Sequence, residues 1–396
     1  MTIGIGAQSL SDLFLARHLS SEDYGLFTLI FRDAVTVLSV IILLGSDTSL
    51  IRFLGKTRIE DFRWKSFLAT AVKAFALVSV FFGAITTWIY DLPQWNVPAI
   101  AVLVTMVASI TLFSTVLRAR DQIMRAQIGL HSWRVLFALI LIPVFLSGVM
   151  SVAMLAVLIS ISLGFSLLFV GRTLAGIPQG ERPIPFKPVL TDGILFFGLS
   201  TSSLLMLRLE RFFLGGMENL SAVAGYYAVS LPVLTLYWIL ASGGAYVVLP
   251  QFARGMRLRM KFAFILLLGT GVLLGIPFLL FGNDLVGLLF KGRYVEHSFL
   301  IPYFVAMGMI QLLYVLPSSF IGGRSTTKQL GQFIYVGLAS LAVSVLLCLL
   351  LIPSLGIQGA ALANLGSWVL RCGAGFWFMG RVLRSLPPVS ADVLQS

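Results

Sequence analysis

Apolar runs of roughly 20 residues recur along the whole chain, and each is long enough to cross the ~30 Å hydrocarbon core of a bilayer as a helix. They centre near residues 8, 35, 78, 106, 141, 160, 201, 237, 272, 310, 342 and 368. Backbone polar groups in lipid must be satisfied within the segment, so runs of this length are read as helices rather than open strands. Charge is scarce to match. Asp, Glu, Lys and Arg make up 11% of the 396 residues, against about 25% in an ordinary soluble domain, and mean hydropathy is +0.97. The expected fold is an all-α polytopic membrane protein with about twelve transmembrane helices.

The net charge of +12 would suggest nucleic acid in a soluble protein, but here it is read first as topology, and no nucleic-acid partner is expected. If the amino terminus is cytoplasmic, most Lys and Arg fall in cytoplasmic loops: Arg52 to Lys65, Arg118 to Arg134, Arg172 to Lys187, Arg254 to Lys261, Arg324 with Lys328, and Arg381 with Arg384. The other side receives only Arg17, Arg208, Arg211, Lys291 and Arg293, while Arg32, Lys73 and Arg371 fall inside spans. This asymmetry predicts both termini in the cytoplasm. The first run, Met1 to Ala16, is short, contains Gln8 and Asp12, and lacks the features of a signal peptide, so it is read as a truncated span.

The segment 176–188 (GIPQGERPIPFKP) combines prolines, glycine and charge, which exclude a continuous buried helix. It predicts a cytoplasmic linker between an amino-terminal six-helix lobe (1–175) and a carboxy-terminal one (189–382), followed by a cytoplasmic tail (383–396). Six spans on each side give the halves the same orientation, as in parallel repeats. A faint echo joins them: FLARHLSSEDYGLFTL from Phe14 and FLGGMENLSAVAGYYAV from Phe213 bring Gly25 into register with Gly225. Cys348 and Cys372 lie inside apolar runs and are read as packing residues, and the single histidines His18, His131 and His297 offer no ligand spacing, so neither metal nor cofactor is expected.

Several segments together resemble one family over nearly the whole chain. ARHLSSEDYGLFTL (Ala16 to Leu29) and GSDTSLIRFLG (Gly45 to Gly55) are similar to the opening of Wzx-type bacterial polysaccharide flippases. RLERFFLGGMENLSAVAGYYAVS (Arg208 to Ser230), LVGLLFKGRYVEHSFLIPYFVAMG (Leu285 to Gly308) and LIPSLGIQGAALAN (Leu351 to Asn364) follow in the family's order and at similar spacing. The chain departs from the pattern in starting part-way through the family's first helix and in carrying Ser20 where Gly is usual. The resemblance implies the multidrug/oligosaccharidyl-lipid/polysaccharide exporter superfamily, with two six-helix lobes in a MATE-like V around a central cavity. It also implies a substrate, a polyprenyl-diphosphate-linked oligosaccharide moved from the inner to the outer leaflet of the bacterial inner membrane. Membrane lipids, a polysaccharide polymerase and chain-length machinery are the implied partners.

Flipping breaks no bond, but the diphosphate and sugars must cross hydrocarbon, where an uncompensated charge is prohibitive. A polar, cationic cavity lowers that barrier. Ionisable residues inside spans usually face a bundle interior or an aqueous path, which makes Arg32, Lys73 and Arg371 candidates for substrate binding. Lys73 and Arg371 are also placed to snorkel towards headgroups, and Arg32 to pair with a neighbouring helix. Arg208 and Arg211 are three apart, hence on one helical face near the outer end of the seventh span, either guiding a diphosphate or anchoring the helix. Asp12, Asp33, Asp47, Asp192 and Glu210 lie in or near spans; Asp33 and Glu210 are the ion-coupling candidates, with a salt bridge to another helix as the alternative role of Asp33.

Tyr226, Tyr227, Tyr237, Trp238 and Trp368 fit either sugar stacking or interfacial belts, and Pro143, Pro232, Pro277, Pro302 and Pro317 either hinges or packing. The expected function is a lipid-linked oligosaccharide flippase rather than an enzyme. A multidrug exporter for cationic compounds would want an acidic cavity, and a glycosyltransferase or polymerase would want catalytic groups in a sizeable outer loop. A transport-inactive scaffold is the fourth reading.

Overall fold

The computed structural model describes residues 2–54, 61–146, 150–178, 180–184, 186–253 and 260–385. Helix α1 (Thr2–His18) leads through a short turn into α2 (Ser21–Leu26), a π-helical segment (Phe27–Ala34) and α3 (Val35–Leu43), which together form one crossing; α4 (Ser46–Leu54) continues it past a kink. Then follow α5 (Trp64–Ile89), α6 (Asn96–Ala119), α7 (Ile123–Leu146) and α8 (Val152–Ala175). The second half holds α9 (Phe186–Met206), α10 (Leu209–Met217), α11 (Leu220–Ala253), α12 (Met260–Phe290), a 3-10 turn (Val295–Leu300), α13 (Ile301–Arg324) and α14 (Thr327–Ser385). Ser20 has a local reason to replace Gly: it is the N-cap of α2, and its Oγ accepts from the Asp23 N–H at 3.0 Å.

Ten helices among the described residues are long and apolar enough to cross a membrane, so this is a multi-pass membrane protein. The last of them is two crossings. Gly356 leaves helical geometry (φ 55°, ψ −131°), a left-handed conformation that a side chain would strain. Beyond it Gly366 lies against Leu347, and the Gln329 amide donates to the Ser385 hydroxyl at 3.2 Å, contacts that one straight helix forbids. With α14 divided into 327–355 and 357–385, and α1 counted as a short crossing of 17 residues, the total is the twelve read from the apolar runs. The expected loop charges at Lys56, Arg58, Arg254, Arg257 and Arg259 lie outside the described residues.

Two lobes result, as the apolar pattern implied. In one, α6 packs on α5, α7 and α8, and α1 packs on α7; in the other, α13 packs on α11, α12 and α14, and α14 also packs on α9 and α10. Cys348 and Cys372 are buried in the second lobe. The segment between α8 and α9 is tied to the first lobe by a bridge between Phe62 and Arg182 and by the Trp64 indole donating to the Pro178 carbonyl at 3.0 Å. Helix α9 starts at Phe186, so Lys187 and Pro188 occupy its first turn, where a proline has no N–H to lose.

The lobes meet along α2 to α4 on one side and α9 to α11 on the other. Gly25 packs so closely on the start of α11 that a Cβ would stand 1.8 Å from the Leu220 carbonyl oxygen. Gly45, with φ +70°, meets α9 in the same way, a Cβ there falling 2.1 Å from the Gly193 oxygen. These are backbone contacts with nothing flexible to yield. Gly25→Ala is therefore expected to overpack the lobe interface at a cost of about 1–3 kcal/mol, read as a lower midpoint of thermal unfolding in detergent. Gly6→Ala, at a position with open space around it, leaves the midpoint unchanged.

Candidate substrate cavity between the lobes

A cavity of about 460 Å³ opens between the lobes, lined by α1, the π-helical segment, α3, α6, α7 and α8 on one side and by α10, α11, α13 and α14 on the other. That is the size of a small-molecule site. Its charged lining is four arginines, Arg32, Arg134, Arg208 and Arg211, against two carboxylates, Asp12 and Glu210. A third carboxylate, Asp33, is fully buried just behind the surface.

The π-helical segment puts Arg32 and Asp33 to different uses. Its wider turn changes the facing of successive side chains, and such segments recur at functional sites. Arg32 pairs with Asp12 of α1 within its own lobe, and its guanidinium stands 5.3 Å from the ring centre of Tyr227. Asp33 reaches the other lobe, where Arg208 and Arg211 both ion-pair with it, the latter at 2.8 Å. Tyr227 joins the two arrangements: Arg211 lies 5.2 Å from its ring centre, and its hydroxyl donates to Asp12 at 3.5 Å.

The two arginines converge because the seventh crossing is broken, not because they share a continuous helical face. Helix α9 stops at Met206, and Arg208, with φ −138° and ψ −10°, is the N-cap residue of α10. Carbonyls left unpaired at the end of α9 attract cations, and the helix dipole adds to that attraction. Arg211 donates to the Leu207 carbonyl at 2.7 Å. Arg371, buried in the second lobe, supplies the other cation: its Nη1 lies 3.5 Å from both the Ser202 carbonyl and the Met206 sulfur, its Nη2 bonds Ser203, and its Nε donates to the Tyr314 hydroxyl at 3.2 Å. The break places Arg208 and Arg211 just past Met206, where the apolar span ends and α10 takes over.

Glu210 sits apart from this clasp. It is buried, its Oε1 accepts from the Tyr226 hydroxyl at 3.4 Å, and the Arg211 Nε is 3.6 Å away. The Asn364 amide donates to the same hydroxyl at 3.3 Å, while its own carbonyl oxygen is buried without a partner. Glu210, Tyr226 and Asn364 thus make an oxygen-rich corner that faces the cavity.

Arg32, Arg208, Arg211 and Glu210 therefore line one cavity, and Asp33 holds two of them. The ion-pair alternative for Arg32 is realised through Asp12, and that for Asp33 through the opposite lobe. Lys73 is exposed on α5 and takes no part in the lining, as its snorkelling alternative requires. Arg371 also lies outside the lining, although buried, because it is committed to the end of α9. Tyr226, Tyr227 and Trp238 line the cavity, while Tyr237 donates to the Gly271 carbonyl at 2.7 Å and Trp368 meets Tyr314 edge-on. The sequence missed Arg134. Grouped with Arg118, Arg120 and Arg125 as loop charge, it stands instead mid-way along α7, and the signal was the apolar run that follows it directly from Val135 to Leu146.

Residues 6–256 match the sequence profile of the polysaccharide biosynthesis protein family. The chain belongs to that family. The resemblance to Wzx-type flippases, drawn above from this chain's motifs, stands, and with it the class of lipid-linked flippase or transporter. No curated protein matches it by sequence. Among solved structures, the lipid II flippase MurJ in an inward closed conformation shares 13% identity over 98% of this chain and 87% of that one, with a TM-score of 0.67. An outward-facing multidrug resistance MATE family transporter shares 16% over 96% and 93%, with a TM-score of 0.66. A transporter of the same superfamily from Pyrococcus furiosus, described by the reverse polarity of its binding pocket, shares 15% over 96% and 93%, with a TM-score of 0.63. At such identities the likeness is one of fold, and the fold is this superfamily's two-lobed arrangement.

Removing Asp33 would leave the part-buried guanidiniums of Arg208 and Arg211 without the carboxylate they share. Asp33→Ala is expected to lower unfolding stability by about 3–5 kcal/mol, measured by chemical denaturation in detergent, whereas Lys73→Gln on the exposed face of α5 changes it by less than about 0.5 kcal/mol.

Proposed function

We propose that this chain moves a polyprenyl-diphosphate-linked oligosaccharide from the inner to the outer leaflet of the bacterial cytoplasmic membrane, with both termini cytoplasmic. The observation that carries the reading is the excess of arginine over carboxylate in a cavity between two lobes. An anionic headgroup gains there what it loses on leaving water, while the polyprenyl tail stays in lipid. The same excess disfavours export of cationic drugs. Trp133 and Trp238 add aromatic surface on opposite lobes for sugar rings. The division into lobes 1–175 and 189–382 is the mechanical frame, and a polymerase and chain-length machinery would receive the flipped unit.

Alternating access requires the lobes to part at one end while they close at the other. At the end away from the linker they are joined by Gly25 on Leu220, by the Tyr90 hydroxyl donating to the Phe212 carbonyl at 3.2 Å and by Arg293 donating to the Leu19 carbonyl at 2.6 Å. Asp33 with Arg208 and Arg211 closes the same seam deeper in. A diphosphate that draws the arginines from Asp33 would loosen it, which ties substrate binding to opening. For ion coupling Glu210 is the better placed of the two carboxylates, since Asp33 is already held by two cations and Glu210 is not.

Flipping of a fluorescent polyprenyl-diphosphate oligosaccharide in proteoliposomes tests the reading. Wild type is expected to flip it, Arg208→Ala/Arg211→Ala to lose at least tenfold in rate, and Glu210→Gln to flip without responding to an imposed proton or sodium gradient. No transport by wild type with several glycan heads and both gradients sinks the flippase reading.

A further inference from the structure

The cavity arginines are not equivalent. Arg32 has Asp12, and Arg208 and Arg211 share Asp33, so each of these can take a substrate anion only by loosening a bond it already holds. Arg134 has no carboxylate within ion-pair distance among the described residues. Its one polar side-chain partner is His131, whose Nδ1 lies 3.0 Å from Nη1, and its Nε is buried with no acceptor. The two residues line the cavity one turn apart on α7, and Arg134 stands about 16 to 18 Å from either end of that helix at 1.5 Å per residue.

Guanidinium nitrogens only donate, so the Nδ1 of His131 must accept. The imidazole is then neutral with its proton on Nε2, which leaves a second donor beside the guanidinium. The remaining Arg134 donors and the His131 Nε2–H form a group with positive charge, several donors and no acceptor, in the middle of a membrane-spanning helix. An unpaired charge at that depth is costly unless an anion or water completes it. The planar fork of arginine matches two oxygens of one phosphate.

We propose that Arg134 and His131 form the anchor for the diphosphate of the lipid-linked substrate, an anion site in the first lobe distinct from the Asp33 clasp. The assignment rests on the flippase reading above. It makes Arg134 the point of first binding, because no internal bond has to be given up there, and leaves Arg208 and Arg211 to respond as the lobes move.

The test is equilibrium binding of a fluorescent polyprenyl diphosphate to the full chain in nanodiscs, with the matching polyprenol and inorganic pyrophosphate as further probes. Wild type is expected to prefer the diphosphate lipid over the polyprenol by at least tenfold. Arg134→Gln should abolish that preference, and Lys73→Gln, on the exposed face of α5 outside the cavity, should retain it. Leu130→Glu, one turn earlier on the cavity face, gives Arg134 an internal carboxylate and should lose the preference without removing the arginine, which keeps the test valid if Arg134→Gln does not fold. Binding in either folded variant within twofold of wild type overturns the anchor but leaves the flippase reading standing. A wild type that does not tell the diphosphate from the alcohol overturns both. Arg134-dependent binding of pyrophosphate as tight as that of the lipid overturns the lipid-linked assignment in favour of a free anion.

Discussion

Asp33 sits fully buried between Arg208 and Arg211, and the organisation of the cavity follows from the need to balance those charges inside a membrane protein. A carboxylate there without cations, or guanidiniums without the carboxylate, would be a cost that apolar packing cannot offset. The partners come from opposite lobes, so charge balance also becomes a force between lobes. It is a force of short range and exact geometry, unlike the broad apolar contacts of the surrounding helices. An interface built this way can let go at a defined point when a competing anion arrives.

The local irregularities serve the same end. A regular helix through 27–34 would carry Arg32 and Asp33 at the usual 100° separation, and an unbroken seventh crossing would hold Arg208 and Arg211 in a fixed register. The π-helical segment and the stop at Met206 free both pairs from those constraints. The unpaired carbonyls created by the stop do not go unanswered, since Arg211 and Arg371 both direct donors at the end of α9. Arg371, outside the cavity, thereby sets the backbone from which the cavity arginines project.

Much of this was legible in the amino-acid order, for reasons that differ from element to element. Span number was readable because lipid imposes a minimum apolar length; the turn at Gly356 also lay where two runs, near 342 and 368, were counted separately. The intramembrane position of Arg32 was readable because a lone arginine in an apolar run has few places to go. Arg134 was not, because three arginines shortly before it suggested a loop, and charge density alone cannot say where a helix begins. Lys73 failed as a cavity residue because an apolar helix does not reveal which face meets lipid. Asp12, in a run too short to weigh heavily, gave no sign that it would neutralise Arg32.

The count of charges gives the cavity a direction as well as a sign. Pairing with carboxylates is dense where the lobes meet and, among the described residues, absent at Arg134, on the wall that α7 contributes to the first lobe alone. An anion entering the cavity therefore meets an unsatisfied cation on one lobe before it meets satisfied ones at the seam. Binding in that order holds the headgroup on one lobe while the seam is still closed, and only its further oxygens need compete with Asp33. A cavity with every arginine paired would bind no anion until the lobes had already parted, and one with every arginine free would have no closed seam to open.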